Sequence, residues 1–354
     1  MHVPLIDLAA QYEAHRGEID AAVARVLASG RYVLGDEVSQ LETELAAKLG
    51  RAHAVGVSSG SDALLASLWA LGVGPGDEVV TTSFSFFATV GAIVRLGAVP
   101  VFADIVDGTY HLDLEQARSL VTPTTKAFVV VPLFGRPLDP SPLAGLGLPI
   151  VIDGAQAIGA PHLGAPAITT TLSFFPTKNL GAVGDGGMIL TDDAELAAKL
   201  RIMRQHGSAP KYVHHQLGGN FRLDALQAAI LRAKHPHLAA WIEARRRNAA
   251  RYRDALGGLD LELPLDEPGH VYHHFVVRTP RRDALKAHLA AAKIDTEVYY
   301  PVPLHQQPCF ASMNLGSRPI AERAANEVLA IPVHPTLSEA QLEHVVASVR
   351  EFHV

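Results

Sequence analysis

The segment that decides the fold runs from residue 173 to residue 187 and reads SFFPTKNLGAVGDGG. Lys178 lies here between a Pro-Thr turn and a glycine-rich loop, so it has no helix face on which to be solvated. Phe174 and Phe175 place it after a buried strand, and the glycines let the backbone approach closely. A desolvated amine has a lowered pKa, which favours imine formation. The segment therefore predicts a reactive lysine at a strand end.

Two upstream segments carry groups that complement such a lysine. Asp153 follows the apolar run 148–152, and Gly60 and Ser61 open a helical pattern over 61–71. Ligands of open α/β sheets bind outside the carboxyl ends of strands. A helix N-terminus offers free N–H groups and a positive field to a phosphate. Together the segments predict a pyridoxal phosphate enzyme, in which Lys178 forms the Schiff base and Asp153 partners the pyridinium nitrogen.

Each of these motifs also has an ordinary structural interpretation. Ser61 can be a helix N-cap without a ligand, Asp153 can cap the next turn, and most lysines are solvated at the surface. The glycine loop has a rival interpretation as a dinucleotide turn. Its spacing is not G-x-G-x-x-G, however, and it does not lie between a first strand and a first helix.

Eighteen histidines raise the question of a metal site. His270, His273 and His274 lie on a strand-like run, and His214 and His215 lie in a predicted loop. No H-E-x-x-H motif or carboxylate–histidine set accompanies them. We therefore predict structural or solvent-facing histidines and no metal site.

Composition excludes several classes of protein. The net charge of -6 gives no reason to expect nucleic-acid binding. The single cysteine, Cys309, excludes an intramolecular disulfide and favours a cytoplasmic location. No run reaches the roughly 18 apolar residues of a membrane span, and the N-terminus does not resemble a secretory signal. The charged fraction of 19%, below the usual value of about 25%, favours a large buried sheet or a large subunit interface.

Hydrophobic periodicity predicts an α/β protein. Short β-branched runs alternate with helical segments up to residue 191, as in a parallel or mixed sheet covered on both faces. Predicted strands are 54–57, 78–82, 99–103, 127–131, 149–152, 172–175, 188–191, 271–278 and 296–299. Predicted helices are 18–30, 38–49, 61–71, 86–96, 114–121, 193–204, 224–233, 238–256, 283–292 and 338–352. We expect a large domain over 1–250, with an N-terminal helical segment, and a small C-terminal α/β domain over 251–354.

Nearly the whole chain resembles the DegT/DnrJ/StrS-type sugar-nucleotide aminotransferases, which belong to the aspartate aminotransferase superfamily. The resemblance implies a three-layer α/β/α fold, the pyridoxal phosphate-dependent transferase fold type I. The motifs that carry it are IDL at 6–8, YVLG at 32–35, SGSDAL at 59–64, GPGDEV at 74–79, SFSFFAT at 83–89, DGAQA at 153–157, KNLG at 178–181, NFRLDALQAA at 220–229 and YPVPLH at 300–305.

The resemblance also implies roles for individual residues. Lys178 would hold the cofactor and transfer protons, Asp153 would bind the pyridine nitrogen, Gln156 the phenolic oxygen, and Phe86 would stack on the ring. The residues implied to hold the phosphate are Gly60, Ser61, Ser173 and, from the second subunit of a homodimer with shared active sites, Asn220. Those implied to lie near the sugar are Arg222, Tyr299 and Tyr300.

Two positions depart from the commonest family pattern. Ser61 replaces a frequent Thr and keeps the hydroxyl, whereas Tyr299 stands where many relatives have His. Arg222 also has an ordinary interpretation as the ion-pair partner of Asp224, and the tyrosines as packing residues of a domain junction.

The implied reaction moves an amino group from glutamate to a nucleotide-linked keto sugar. The residues leave open a C3 or C4 ketone and a dTDP or UDP carrier, while the pattern over 83–100 is most like relatives that act on a UDP-2-acetamido-3-keto uronic acid. Two alternatives are a pyridoxal phosphate-dependent sugar dehydratase of the same fold and a non-enzymatic regulator that retains the fold. Dehydratase relatives carry His in place of the lysine, so Lys178 argues against the first.

Overall fold

The computed structural model describes residues 1–353, which form eleven α-helices and nine β-strands. The helices are α1 (Leu8–Ser29), α2 (Asp36–Lys48), α3 (Gly60–Ala70), α4 (Ala88–Arg95), α5 (Leu114–Ser119), α6 (Ala194–Met203), α7 (Ala225–Lys234), α8 (Leu238–Leu256), α9 (Arg282–Ala291), α10 (Pro319–Glu327) and α11 (Glu339–His353). The strands are β1 (His53–Val57), β2 (Glu78–Thr82), β3 (Val99–Ala103), β4 (Thr125–Val130), β5 (Ile150–Asp153), β6 (Thr169–Ser173), β7 (Gly187–Thr191), β8 (Phe275–Arg278) and β9 (Val328–Ile331).

Seven strands form one mixed sheet in the order β1-β7-β6-β5-β4-β2-β3. β7 runs antiparallel to both of its neighbours, β1 and β6, and the other neighbouring pairs are parallel. The parallel strands β5 and β6 therefore end at the same edge of the sheet. That edge carries Asp153 and Ser173, the last residues of the two strands.

Helices cover both faces of this sheet, because alternate strand residues point to opposite sides. On β2, Val80 belongs to the apolar cluster that contains Leu41 of α2 and Leu231 of α7. Its neighbour Val79 belongs to the cluster on the other face, which contains Leu64 of α3. The predicted three-layer α/β/α architecture is confirmed.

A second, two-stranded antiparallel sheet pairs β8 with β9. Its apolar cluster includes residues of α8, α9 and α11, such as Tyr252, Leu285 and Val345. Val3 of the N-terminal segment also joins this cluster, and its N–H donates to the Lys293 carbonyl at 2.9 Å. The N-terminus thus packs on the small sheet before the chain enters α1.

Several element predictions need correction. The strand predicted over 271–278 begins only at Phe275, because the Val271 and His273 N–H groups donate to the loop carbonyls of Gly135 and Phe134 at 2.9 Å. The strand predicted over 296–299 is reduced to a single bridge between Glu297 and Ala330. The first helix begins at residue 8 rather than 18, since the Asp7 carboxylate caps it. α4 begins at residue 88 rather than 86.

Two elements of the small sheet region were not predicted, α10 and β9. The chain passes directly from one into the other at residues 327 and 328, with no Gly or Pro to mark the boundary. Among residues 1–353, no helix has the length and apolar character needed to cross a bilayer.

Candidate active site

Lys178 lies in the turn that follows β6, and its N–H donates to the Phe175 carbonyl at 2.9 Å. The turn is closed by Gly181, because a side chain there would collide with the Pro176 carbonyl. The amine of Lys178 is buried, and this burial lowers its pKa to about 8, against the opposing field of Asp153. A lysine with this pKa has a substantial neutral fraction near neutral pH and is therefore a competent nucleophile.

Asp153 ends β5 and is buried. One carboxylate oxygen accepts a hydrogen bond from the Thr89 hydroxyl at 2.7 Å, and the other accepts from the Ala155 N–H at 3.3 Å. Burial raises the pKa of Asp153, while Thr89, Ala155 and Lys178 oppose the rise. The hydroxyl of Ser85 lies 3.0 Å from that of Thr89 and extends the network. The carboxylate is thus held rigidly in a position where a cationic ring nitrogen would stabilise its charge.

Gln156 connects the strand edge to the segment that carries the two tyrosines. Its carbonyl oxygen accepts from the Phe134 N–H at 2.7 Å, and its amide nitrogen donates to the Tyr300 hydroxyl at 3.0 Å. Burial raises the pKa of Tyr300, so its hydroxyl stays protonated. The Tyr299 ring stacks on His274 with ring centroids 4.1 Å apart. Tyr300 therefore lies at the site, one hydrogen bond from Gln156.

The start of α3 lies directly against the end of β6. A side chain at Gly60 would place its Cβ 2.7 Å from the Cβ of Ser173, so the close approach requires glycine. Ser59, not Ser61, is the N-cap, since its hydroxyl oxygen accepts from the Asp62 N–H at 3.0 Å. The Ser61 hydroxyl is left without a protein partner within residues 1–353, which makes it available to a ligand.

Phe86 forms an open wall of the same region. Its side chain is 56% exposed, and its ring lies 6.2 Å from that of Tyr300. An exposed aromatic ring beside a strand-end acid and a buried lysine is suited to stacking on a flat heterocycle.

Asn220 and Arg222 are not brought to Lys178 within the described residues of one subunit. Asn220 is exposed and forms a bridge with Gln205. The Nε of Arg222 is buried without a hydrogen-bond partner among residues 1–353, so no ion pair with Asp224 satisfies it. The two residues flank Phe221, whose carbonyl accepts from the Ser58 N–H at 3.1 Å, just before α3.

Two supporting interactions escaped the sequence analysis. Thr89 and Ser85 lie in the quoted motif over 83–89, but nothing in the sequence indicates that they reach Asp153, which is 64 residues away from Thr89. The second is Asn179, whose amide donates to the Val271 carbonyl at 3.1 Å and whose oxygen lies 3.3 Å from His273. His273 is buried and its pKa is lowered well below the usual value by that burial, so it is a neutral structural group.

These residues fit pyridoxal phosphate on grounds of geometry alone. The cradle between Gly60 and Ser173 would be filled by a Cβ, and the Ser61 hydroxyl beside it has no partner among the described residues. A helix N-terminus of this kind binds phosphate. The arrangement of a desolvated lysine and a buried strand-end acid defines the class of site: it is that of a pyridoxal phosphate-dependent enzyme.

Comparison with known proteins gives the family. The family model of the DegT/DnrJ/EryC1/StrS aminotransferase family matches residues 13–350. The chain belongs to this family, and it is an enzyme of the aminotransferase type that uses pyridoxal phosphate.

Three curated relatives cover almost the whole chain. A "pleiotropic regulatory protein" of Geobacillus stearothermophilus is 48% identical, with 100% of this chain and 99% of that protein covered. A UDP-N-acetyl-3-dehydro-alpha-D-glucosamine 3-aminotransferase of Acidithiobacillus ferrooxidans is 44% identical, with 98% and 97% covered. A dTDP-3-amino-3,4,6-trideoxy-alpha-D-glucose transaminase of Streptomyces venezuelae is 45% identical, with 99% and 96% covered.

Two solved structures show the same fold. S. venezuelae DesV in complex with a ketimine intermediate superposes with a TM-score of 0.96 at 45% identity, covering 99% of this chain and 98% of that one. NtdA from Bacillus subtilis with bound cofactor PMP superposes with a TM-score of 0.93 at 31% identity, covering 98% and 83%. The predictions of fold type I and of the pyridoxal phosphate cofactor are confirmed.

The lowered pKa of Lys178 predicts the pH dependence of cofactor capture. Only the neutral amine attacks, and burial has moved the pKa down from 10.5 to about 8. The rate at which cofactor-free protein reacts with pyridoxal phosphate should therefore rise about tenfold for each unit of pH increase up to pH 8 and level off above it. Stopped-flow absorbance measures the rate, with noncovalent binding by Lys178→Ala as the control. A rate that still rises about tenfold per pH unit between pH 8 and 9 would show that Lys178 is not desolvated.

Proposed function

We propose that this enzyme transfers the amino group of glutamate to a ketone at C3 of a nucleotide-linked hexose, for the biosynthesis of amino sugars. The observation that carries the proposal is the buried pair of Lys178 and Asp153, in a chain whose relatives at 44% and 45% identity are named for 3-amino sugar nucleotides. The pair supplies transamination chemistry, and the relatives point to the substrate class.

The residues of the site have distinct tasks in this proposal. Lys178 anchors the cofactor and, once displaced by the incoming amine, moves a proton between donor and cofactor as a general base and acid. Asp153, held by Thr89 and Ala155, keeps a proton on the pyridine nitrogen. When bound, pyridoxal phosphate supplies the electron sink that makes deprotonation of the substrate possible.

The remaining cofactor contacts follow from the same geometry. Ser61, Ser173 and the N–H groups at Gly60 would bind the phosphate, because they meet at the start of α3. Phe86 would stack on the ring. Gln156 would reach the phenolic oxygen from its position beside Tyr300.

The identity of the sugar is the most specific part of the proposal. Relatives with neutral hexose substrates in their names are 44% and 45% identical, whereas a UDP-2-acetamido-2-deoxy-3-oxo-D-glucuronate aminotransferase of Pseudomonas aeruginosa is 38% identical. All three names place the reacting group at C3. We therefore propose a 3-keto sugar nucleotide, with the 2-acetamido uronic acid as one member of a panel that includes neutral hexoses.

The dehydratase and regulator alternatives receive no support from the site. Lys178 stands where the resemblance places His in dehydratases. Lys178, Asp153 and Gln156 are all present, and the charge of Lys178 acts on the Asp153 carboxylate. The word "regulatory" in the name of one relative describes that protein and carries no chemistry of its own.

A second subunit completes the site in our proposal. Phe175 and Val183, on either side of Lys178, are 50% and 60% exposed, and exposed apolar side chains next to a buried catalytic group favour a covering surface. The buried Nε of Arg222 has no hydrogen-bond partner among residues 1–353, and Asn220 is exposed. A second copy of the chain would cover Phe175 and Val183, and Asn220 and Arg222 would complete the site of that second copy, as an isologous homodimer allows.

Mixing an inactive variant with a strongly impaired one tests the shared site directly. In a hybrid of Lys178→Ala and Arg222→Ala subunits, one of the two sites has Lys178 from one chain and Arg222 from the other, both intact. Random mixing makes half of the dimers hybrids, so activity should return to about a quarter of the wild-type value. Recovery of no activity, or a fully active monomer in light scattering, would contradict the shared site. Lys178→Ala mixed with itself is the control.

Separate half-reactions test recognition of the sugar. Arg222 offers a bidentate fork to phosphate or carboxylate oxygens, and Tyr300 offers a hydroxyl at the site. Loss of a charged hydrogen bond of about 1.5–3 kcal/mol predicts that Arg222→Ala slows the half-reaction with the amino sugar roughly 10- to 100-fold. Tyr300→Phe should also slow the half-reaction with the amino sugar. In both variants the rate of the half-reaction with glutamate should stay nearly unchanged. Arg247→Ala, an exposed arginine of α8, is the matched control.

Stopped-flow traces of the two half-reactions distinguish the interpretations. Equal loss in both halves would mean that Arg222 and Tyr300 serve the fold or the cofactor rather than the sugar.

A further inference from the structure

A cluster of three metal-ligating side chains lies where α1 meets the start of α8. His15 and Glu18 are three residues apart on α1, and His237 ends a short 3-10 turn just before α8. One ligand atom from each of the three lies within 4.8 Å of the others. The His237 ring nitrogen Nε2 lies 2.9 Å from the Glu18 carboxylate. The cluster thus joins residues more than 200 positions apart in sequence.

The backbone and the exposure of the cluster suit a ligand site. α1 is interrupted at His15, whose φ of -129° and ψ of 17° are not helical, and this turns its side chain relative to a regular helix. Glu18 is exposed, and both imidazoles are half-buried, so solvent and ions reach all three. None of the three belongs to the cofactor site.

Two imidazole nitrogens and one carboxylate oxygen form a donor set typical of Zn²⁺ and other borderline divalent ions. We propose that His15, Glu18 and His237 bind one divalent transition-metal ion, with Zn²⁺ as the reference ion and water in the remaining position. This set of side chains matches no H-E-x-x-H motif. In sequence only the His15-x-x-Glu18 spacing on a helix indicates it, because His237 is distant.

Binding requires a small movement of the rings. The centroids of His15 and His237 are 3.9 Å apart, which is closer than two imidazoles around one ion, where Zn–N distances of about 2.0–2.1 Å imply about 5 Å between centroids. Rotation about the side-chain bonds of His15 and His237, which are partly exposed, would provide the additional separation. Trp241 borders both rings at 5.4 and 6.0 Å and limits how far they can open.

Lys234 is the charged neighbour that opposes the site. Its amine donates to the Gly181 carbonyl and lies 6.0 Å from the centroid of the Trp241 ring, which borders both imidazoles. Its charge favours a site of moderate affinity, in which Glu18 is the sole anionic ligand.

The ion would join α1 to the start of α8. α1 packs on α7 through Ala22 and Val26, and the start of α8 contributes Leu238 and Trp241 to an apolar cluster of the large sheet. An ion that binds only the folded protein stabilises it by mass action. We expect saturating Zn²⁺ to raise the Tm of the holoenzyme by a few degrees.

Isothermal titration calorimetry with ZnCl₂ on chelator-treated holoenzyme tests the proposal. A Cys309→Ser background removes the exposed thiol, which is the other strong zinc ligand at the surface. Wild-type protein should bind one more ion per subunit than either His15→Asn or His237→Asn, and Glu18→Gln should weaken binding at least about tenfold. The transaminase rate and the visible absorption of the cofactor should be unchanged in all three variants.

The matched control is His2→Asn, because His2 forms a histidine–carboxylate pair with Asp295 at 3.1 Å but has no third ligand in the cluster. This variant should bind zinc as the wild type does. Co²⁺ titration provides a second measurement, since absorption bands of a bound ion should disappear with His15 or His237. Equal stoichiometry and affinity in wild type, His15→Asn and His237→Asn would overturn the proposal, as would an equal loss in His2→Asn.

Discussion

Lys178→Ala is expected to abolish turnover, with a loss of at least about a thousandfold. The substitution removes both the covalent anchor of the cofactor and the group that moves the proton, and proton transfer alone typically contributes about 10²–10⁴. The fold should persist, because the turn around Lys178 is held by its backbone N–H and by Gly181. The variant should still bind pyridoxal phosphate noncovalently through the start of α3.

Borohydride reduction followed by peptide mass mapping locates the anchor. Wild-type protein should carry the reduced cofactor on Lys178, and Lys178→Ala should carry none. Lys286→Ala, which removes a partly exposed lysine of α9, should behave as the wild type does. A reduced adduct on any other lysine in wild-type protein would refute the assignment.

Asp153→Asn should lower the rate roughly 10- to 100-fold or more while the fold and much of the cofactor affinity remain. An amide cannot hold the pyridinium proton by charge, and a buried charge-assisted hydrogen bond contributes on the order of 1.5–3 kcal/mol. Thr89→Val removes the hydrogen bond to one carboxylate oxygen and the contact with the Ser85 hydroxyl, and it leaves the charge of Asp153 in place. Its loss should therefore be smaller, about tenfold.

Comparison of Thr89→Val with Asp153→Asn separates the effect of the Asp153 charge from the effect of its position. Single-turnover rates with glutamate should fall in the order wild type, Thr89→Val, Asp153→Asn. A near wild-type rate in Asp153→Asn would show that this residue only shapes the loop, and a larger loss in Thr89→Val than in Asp153→Asn would show that the hydroxyl has a separate task.

The large sheet was predictable because each strand is a short β-branched run between clear helical segments. In β2, Val79 and Val80 point to opposite apolar clusters, and a run buried on both faces is visible in sequence. The small sheet was less predictable. The segment before Phe275 contains Val271 and Tyr272, residue types common in strands, but its N–H groups bond to the loop at Phe134 and Gly135, a tertiary contact that no local pattern reveals.

The active site also contains residues that were predictable from the sequence and contacts that were not. Lys178, Asp153 and Gly60 were predictable because each follows or opens an element whose position in the sheet is visible in sequence. The support of Asp153 by Thr89 and the hydrogen bond between Gln156 and Tyr300 were not, since they join residues 64 and 144 positions apart. Such contacts depend on strand order, which the sequence alone left open.

A single-turnover assay with a panel of nucleotide-linked keto sugars decides whether the enzyme aminates a ketone at C3. The enzyme is first loaded with the amino group by glutamate and freed of the donor, and each sugar is then added while the cofactor absorbance and the product mass are followed. We expect that 3-keto hexoses on dTDP or UDP return the cofactor absorbance to its starting value and gain an amino group, while 4-keto isomers react far more slowly. Amination of 4-keto sugars alone, or failure of glutamate to load the enzyme, would contradict it.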